Sequence, residues 1–186
     1  KENDLIRQAC QLYGRISIIQ EDLLKELNIN VEHHILPLGA DVISLTDKSF
    51  KTLKLLYVGT LEGRHIEQTV EGLSIFLKLH PEANITYDII GEGFNDTSEK
   101  LQILVDRLGL TGVIKVHGRK PYSELKPFFD KCNVGISYVP ITPWFDHQPP
   151  TKTFEYIMSG LYCLATKTSE NAKIVLPEGG FLHIDT

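Results

Sequence analysis

The run Pro150-Thr151-Lys152-Thr153-Phe154-Glu155-Tyr156-Ile157-Met158-Ser159-Gly160 carries the residues best placed for chemistry. It predicts a helix opening after Pro150, with one acidic residue, Glu155, in its first turn. An apolar run from Leu161 to Ala165 follows directly. The first amides of a helix have no partners within it, so they attract anions. A carboxylate one turn in accepts hydrogen bonds from sugar hydroxyls. Amides for phosphates and a carboxylate for a ribose make a nucleotide site. The plainer alternative is a carboxylate that serves only the helix dipole, for a few tenths of a kcal/mol.

Other candidates sit where apolar runs end. Gly59-Thr60-Leu61-Glu62-Gly63-Arg64-His65 follows the first strong strand pattern. Glycine at a strand exit lets a ligand approach the backbone. Arg64 and His65 then open a helix, where cations can clamp a diphosphate. The alternative is an ordinary strand–helix turn with solvated charges. Ile90-Gly91-Glu92-Gly93 starts like a dinucleotide fingerprint, but the third glycine position is Asp96, so the fingerprint fails. No Walker-type phosphate loop is present. His117-Gly118-Arg119-Lys120-Pro121 follows a third strand pattern, where a nucleobase could lie on the backbone. Tyr138 to Pro149 is longer and holds Trp144, the only tryptophan, with Phe145, Asp146 and His147. A stiff aromatic loop at a strand end suits a sugar-binding lip, or packs on itself. His33 and His34 lack a metal-ligand partner at suitable spacing and are read as structural.

The elements that must position these residues follow from periodicity. Short runs rich in Ile, Val, Leu and Tyr predict strands at Leu53–Val58, Ile85–Ile90, Val113–Val116, Val134–Tyr138, Tyr162–Ala165 and Phe181–Ile184. Between them lie helical stripes. Ile66, Val70, Leu73 and Leu77 form the first. Leu101, Leu104, Val105 and Leu108 form the second, with Asp96 to Glu99 as its expected capping box. Leu125, Phe128, Phe129 and Cys132 form the third. Phe154, Ile157, Met158 and Leu161 form the fourth, and a shorter helix is expected over Ser169 to Leu176. Strand–helix alternation implies α/β architecture: a Rossmann-like parallel sheet with helices on both faces, its ligands outside the strand carboxyl ends. The first 50 residues differ. They suggest a helix over Glu21–Leu27, a strand over Val31–Leu36 and a turn-rich break from Pro37 to Asp41.

Composition narrows the class. The chain has 186 residues, 42% hydrophobic and 23% charged, as in soluble globular proteins. A net charge of −5 argues against a nucleic-acid partner, which needs a basic surface. Cys10, Cys132 and Cys163 show no metal or redox spacing and suit a reducing cytoplasm. No apolar run approaches the roughly 20 residues of a membrane span. The chain begins without Met and stops abruptly, which leads us to expect a fragment of a larger protein.

Four segments, taken in order, resemble the retaining nucleotide-sugar-dependent glycosyltransferases of the large bacterial group 1 (family 4). Ile35-Leu36-Pro37-Leu38-Gly39-Ala40-Asp41 resembles their interdomain stretch. Leu56-Tyr57-Val58-Gly59-Thr60-Leu61 resembles their first C-terminal strand and phosphate loop, and Ile89-Ile90-Gly91-Glu92-Gly93 their second strand exit. Phe154-Glu155-Tyr156-Ile157-Met158-Ser159-Gly160 resembles their F-E-Y-M-A-x-G helix. The resemblance implies the C-terminal half of a two-Rossmann-domain glycosyltransferase fold. Residues 1–36 would be a remnant of the acceptor domain, 37–52 a linker and 53–186 the donor-binding domain. It puts Glu155 on the ribose and Arg64 or His65 on the diphosphate, assisted by amides near Thr151, Lys152 and Thr153. Gly59, Thr60, Gly91, Gly118 and Arg119 complete the implied donor site.

Two positions depart from the family. Thr60 stands where Arg usually follows the loop glycine, and His147, beside Asp146, stands where a second Glu is usual. The catalytic residues stay unassigned, with Asp146 and His147 as candidates; Asp146 could stand in for the usual Glu only with the loop shifted by one residue. The implied reaction is sugar transfer with retention to a glycan or lipid-linked acceptor bound by the missing domain, in lipopolysaccharide or other cell-surface polysaccharide synthesis. No Asp-x-Asp motif is present, and no metal or other cofactor is expected. The expected location is the cytoplasm, with the inner membrane face as a further option for the full-length protein through peripheral association. The competing readings are a nucleotide-sugar epimerase of the same architecture and a non-catalytic nucleotide-sugar-binding domain. An oxidoreductase is disfavoured by the failed fingerprint.

Overall fold

The computed structural model describes residues 2–183. A small N-terminal unit comes first: helix α1 (Glu2–Tyr13), strand β1 (Arg15–Ile18), helix α2 (Asp22–Glu26) and strand β2 (Glu32–Ile35), with β1 and β2 paired in parallel. Helix α1 and strand β1 were not foreseen. Leu5, Leu12 and Tyr13 of α1 are exposed, so its apolar residues form no clean buried stripe.

Residues 37–52 form no helix or strand, yet hydrogen bonds stitch them to the larger C-terminal unit. The Ile43 and Ser44 amides donate to Ser159 Oγ at 3.1 and 3.3 Å. Ser44 Oγ donates to Asp130 at 2.7 Å. Asn133 Nδ2 donates to the carbonyls of Ser49 and Thr52.

The larger unit is a six-stranded parallel sheet. Its strands are β3 (Leu53–Val58), β4 (Ile85–Ile90), β5 (Ile114–Val116), β6 (Val134–Ser137), β7 (Tyr162–Thr166) and β8 (Gly180–His183). They lie in the order β5-β4-β3-β6-β7-β8. This is the doubly wound order, whose direction of winding reverses between β3 and β6. The predicted strands fall in place within one or two residues, except that Ile184 lies outside the described residues.

Alternate residues of β3 feed two cores. Leu55 and Tyr57 join Val70, Leu73, Leu101 and Val105 from helices α3 (Ile66–Leu79) and α4 (Thr97–Arg107). Leu56 faces the other way, with Phe129 of helix α5 (Lys126–Lys131), Tyr156 of helix α7 (Thr151–Met158) and Val175 after helix α8 (Ser169–Ile174). A short helix, α6 (Pro143–Asp146), lies in the loop after β6. On the α3 side, no helix among the described residues covers β7 and β8, and Phe181 is left exposed there.

Two local expectations are corrected. Asp96 does not cap α4. Asn95 and Asp96 are both left-handed (φ 56° and 57°), whereas a capping carboxylate needs extended backbone to reach the helix amides. Glu92 takes that role, accepting from the Ser98 amide at 3.1 Å and the Ser98 hydroxyl at 2.6 Å. In α7 the buried face is Thr153 and Tyr156, while Met158 of the predicted stripe is half exposed. The hydroxyls of Thr153 and Tyr156 find partners inside, which removes the cost of burying them.

Candidate functional site

The crevice at the winding reversal is bounded by the loops after β3 and β6 and by the start of α7. Tyr156 hooks α7 onto the sheet. Its ring lies where Gly135 has no side chain, since a Cβ there would fall 2.2 Å from the ring. Its hydroxyl accepts the Val58 amide at 2.8 Å. With Thr153 and Tyr156 turned inward, Lys152 and Glu155, three apart on the helix, share the adjoining face. That face looks onto Gly59 and Thr60, with Glu155, the fifth residue of α7, in the second turn and not in the first as expected. The first amides of α7, at Thr151 and Lys152, have no partner within the helix.

These groups line one cavity of about 340 Å³, with Gly59, Thr60, Arg64, Thr151, Lys152 and Glu155 all on its wall. Tyr122, Phe145 and Gln148 complete it. A second cavity of about 440 Å³ adjoins it through Gly59 and Thr60 and reaches Gly91 and Arg119. The loops between are packed backbone to backbone. The Gly59 amide donates to Ile90 O, the Leu61 amide to Glu92 O and the Gly91 amide to Gly118 O. A Cβ on Gly91 would lie 1.9 Å from Gly59 O, so this contact demands glycine. Gly118 itself faces a separate depression with Glu92 and His117.

The electrostatics of the first cavity are those of an anion site. Arg64 stacks on Phe145, its Cζ 3.9 Å from the ring centre, and its Nη1 is buried with no hydrogen-bond partner. Burial pulls its pKa below the usual arginine range. Lys152 Nζ lies 4.0 Å from the Tyr57 ring centre. Burial, with Arg64 second, pulls its pKa down to about 7. Neither cation forms a salt bridge among the described residues. Glu155 is half-buried, and burial and then Asp41 raise its pKa against the opposing effect of Lys152. Tyr122 Oη stands 3.5 Å from Asp41 Oδ2 at the same edge.

Besides Gly118, four candidates stand elsewhere. His65 is exposed and its Nδ1 lies 3.2 Å from Glu67, because its left-handed backbone at the start of α3 swings the ring outward. Thr153 is fully buried, its hydroxyl bonded to Ser137 Oγ at 2.7 Å and Asn171 Oδ1 at 2.8 Å, and its amide bonded to Pro150 O. It anchors the helix and cannot touch a ligand. Asp146 accepts from the Ser169 amide at 2.8 Å and the Ser169 hydroxyl, pinning the loop to the start of α8. Its carboxylate is thereby engaged structurally. His147 faces Asp22 and Glu170, outside the cavity.

Asp22, His147 and Glu170 bring ligand atoms within 4.8 Å of one another, a grouping that could hold a metal ion. Lys173 Nζ already sits 2.6 Å from Glu170 and 3.7 Å from Asp22, supplying the positive charge there. Sequence reasoning missed Tyr122, Gln148 and Asp41. Only the aromatic content of the loop after β6 signalled Phe145.

No protein-family model matches the chain, and no curated protein matches it in sequence. Solved structures do match in fold. The pneumococcal O-GlcNAc transferase GtfA, in complex with UDP and GlcNAc, aligns with a TM-score of 0.67 at 20% identity, over 93% of this chain and 34% of that one. Anabaena HepE, in complex with UDP and glucose, gives 0.71 at 13%, over 98% and 54%. The C-terminal domain of a group 1 glycosyl transferase, LpcC from Francisella tularensis, gives 0.58 at 18%, over 72% and 68%. At these identities the likeness is one of fold. The chain is a Rossmann-like α/β unit similar to part of these glycosyltransferases, and it spans about a third to a half of the first two.

Proposed function

We propose that residues 53–186 are the donor-binding domain of a retaining glycosyltransferase that takes a nucleoside-diphosphate sugar. In this reading residues 1–36 belong to the acceptor domain and 37–52 link the two. One observation carries it: Arg64, with a buried unpaired Nη1, faces the opening turn of α7 across a cavity at the winding reversal, with Glu155 on the same wall. A buried guanidinium without a carboxylate calls for an anion. Helix amides and a cation together suit a diphosphate, whose developing charge they would stabilise as the sugar leaves. Glu155 then accepts the ribose hydroxyls, and the neighbouring cavity near Gly91 and Arg119 takes the base. The UDP-bound relatives of this fold support the nucleotide class.

The acceptor, a glycan or lipid-linked sugar, would sit on the other domain. With Asp146 engaged at α8, the groups that act on the acceptor belong there too. Arg64 and the helix amides serve the leaving group without a metal. The pathway we propose is lipopolysaccharide or cell-surface polysaccharide synthesis at the cytoplasmic side of the membrane. Calorimetric titration with UDP, GDP and ADP tests the donor reading. Selective binding of one diphosphate, weakened in Glu155→Ala, is the expected result. Binding of none by the folded chain overturns it.

A further inference from the structure

The departure at Thr60 leaves Arg64 as the phosphate loop's one cation on the cavity wall, and the fold brings a second from elsewhere. Lys152 enters from α7 and fills the space beside Gly59, where even a Cβ would come within 3.0 Å of Nζ. The ammonium rests on the Tyr57 ring and shares the cavity wall with Arg64. Tyr57 is itself held in place by donating to Thr60 O at 2.6 Å. We propose that Lys152 supplies the diphosphate cation that Thr60 lacks, and that it takes up one proton as the diphosphate arrives. The inference rests on the donor-site reading above.

The proton balance is set by the neighbours. Arg64 faces Lys152 from the turn before α3, Tyr57 from β3, Cys163 from β7 and Glu155 from its own helix. Arg64 repels the ammonium, and burial removes its water. Burial pushes Tyr57 far above neutrality and Cys163 up to about 12. Burial and then Asp41 raise the Glu155 carboxyl, with Lys152 opposing them. Lys152, at about 7, is therefore the group of this set that changes charge between pH 7 and 9. In the empty site above pH 7 its amine is largely neutral. A diphosphate brings negative charge against it and raises its proton affinity. The proton comes from solvent, and Nζ becomes the ammonium that faces a phosphate oxygen. Below pH 7 the proton is already present. The second ionisation of a phosphate lies at about 6, so the diphosphate's own titration falls outside the window.

Calorimetry with UDP at pH 7, 8 and 9, in two buffers of different ionisation enthalpy, reads this directly. In the wild-type chain, affinity falls with rising pH by up to about tenfold per unit, the limit for one linked proton, and the heat depends on the buffer. Lys152→Met is expected to bind UDP at least tenfold more weakly, with no pH slope and no buffer-dependent heat. Lys152→Met with Thr60→Arg regains affinity, because the cation returns to the loop, but not the pH slope. Thermal unfolding of each variant checks the fold, and Lys152→Arg keeps a permanent charge should the methionine variant unfold: it binds without proton uptake. A Lys152→Met chain with wild-type affinity and pH slope overturns the inference and leaves the donor reading intact. Absence of UDP, GDP and ADP binding in the wild-type chain overturns the donor reading itself.

Discussion

Arg64, Lys152 and Glu155 meet on one cavity wall, and each can be removed separately. Glu155→Ala is expected to cost about 1.5–3 kcal/mol of nucleoside-diphosphate affinity, the scale of a hydrogen bond to a charged group. Unchanged affinity in a folded variant takes Glu155 out of the site. Arg64→Ala should weaken UDP far more than uridine, because its proposed partner is the phosphate; equal losses in parallel titrations contradict that role. Lys152 also marks the empty chain. Its folded pKa, about 7, lies below the unfolded lysine value. Between the two, the unfolded chain holds more protons, so this residue makes stability rise with pH. The thermal midpoint of the wild type relative to Lys152→Met should therefore increase from pH 7 to 9. A flat difference denies the buried, neutral amine.

Helix α7 is the element on which the site depends, and its seating is polar. Tyr156 bonds the Val58 amide, and Thr153 bonds Ser137 and Asn171, so α7 is tied to β3, β6 and α8. Tyr156→Phe strands the Val58 amide and should lower stability by about 1–3 kcal/mol, the cost of an unsatisfied buried group. Denaturant unfolding measures it, and a neutral result would mean that the ring alone seats the helix. Sequence periodicity found α7 but chose Phe154, Ile157 and Met158 as its inner face. Apolar spacing cannot register a buried threonine or tyrosine whose hydroxyl is satisfied by residues far along the chain. The same reason hid the role of Glu92 at α4, since its reach depends on two left-handed residues that no pattern reports.

Across the molecule, Asp88 ties three elements together. It is buried in β4, 2.7 Å from His117 after β5 and 2.6 Å from Lys131 of α5. Burial raises its pKa, but the bonds from Lys131 and His117 outweigh this and leave it lowered. A lowered carboxylate contributes stability above its unfolded value and loses it as pH falls through the folded one. Asp88→Asn should flatten the acid side of the stability curve and cost about 1–3 kcal/mol near neutrality; a parallel acid limb in the variant denies the coupling. The N-terminal unit is joined to the rest by Gln20 donating to His147 O and by Lys173 near Asp22. By itself, the sequence determined the strands and long helices from β3 onward but not the short α6, together with the parallel α/β class and the candidacy of Gly59, Arg64 and Glu155, because strand and helix periods and strand-exit glycines are local signals. Only the tertiary structure decided that Lys152 lies beside Gly59, that His65 turns away and that Asp146 is spent on α8. Those outcomes depend on strand order, which places the loops after β3 and β6 side by side, and distance along a chain carries no trace of that neighbourhood.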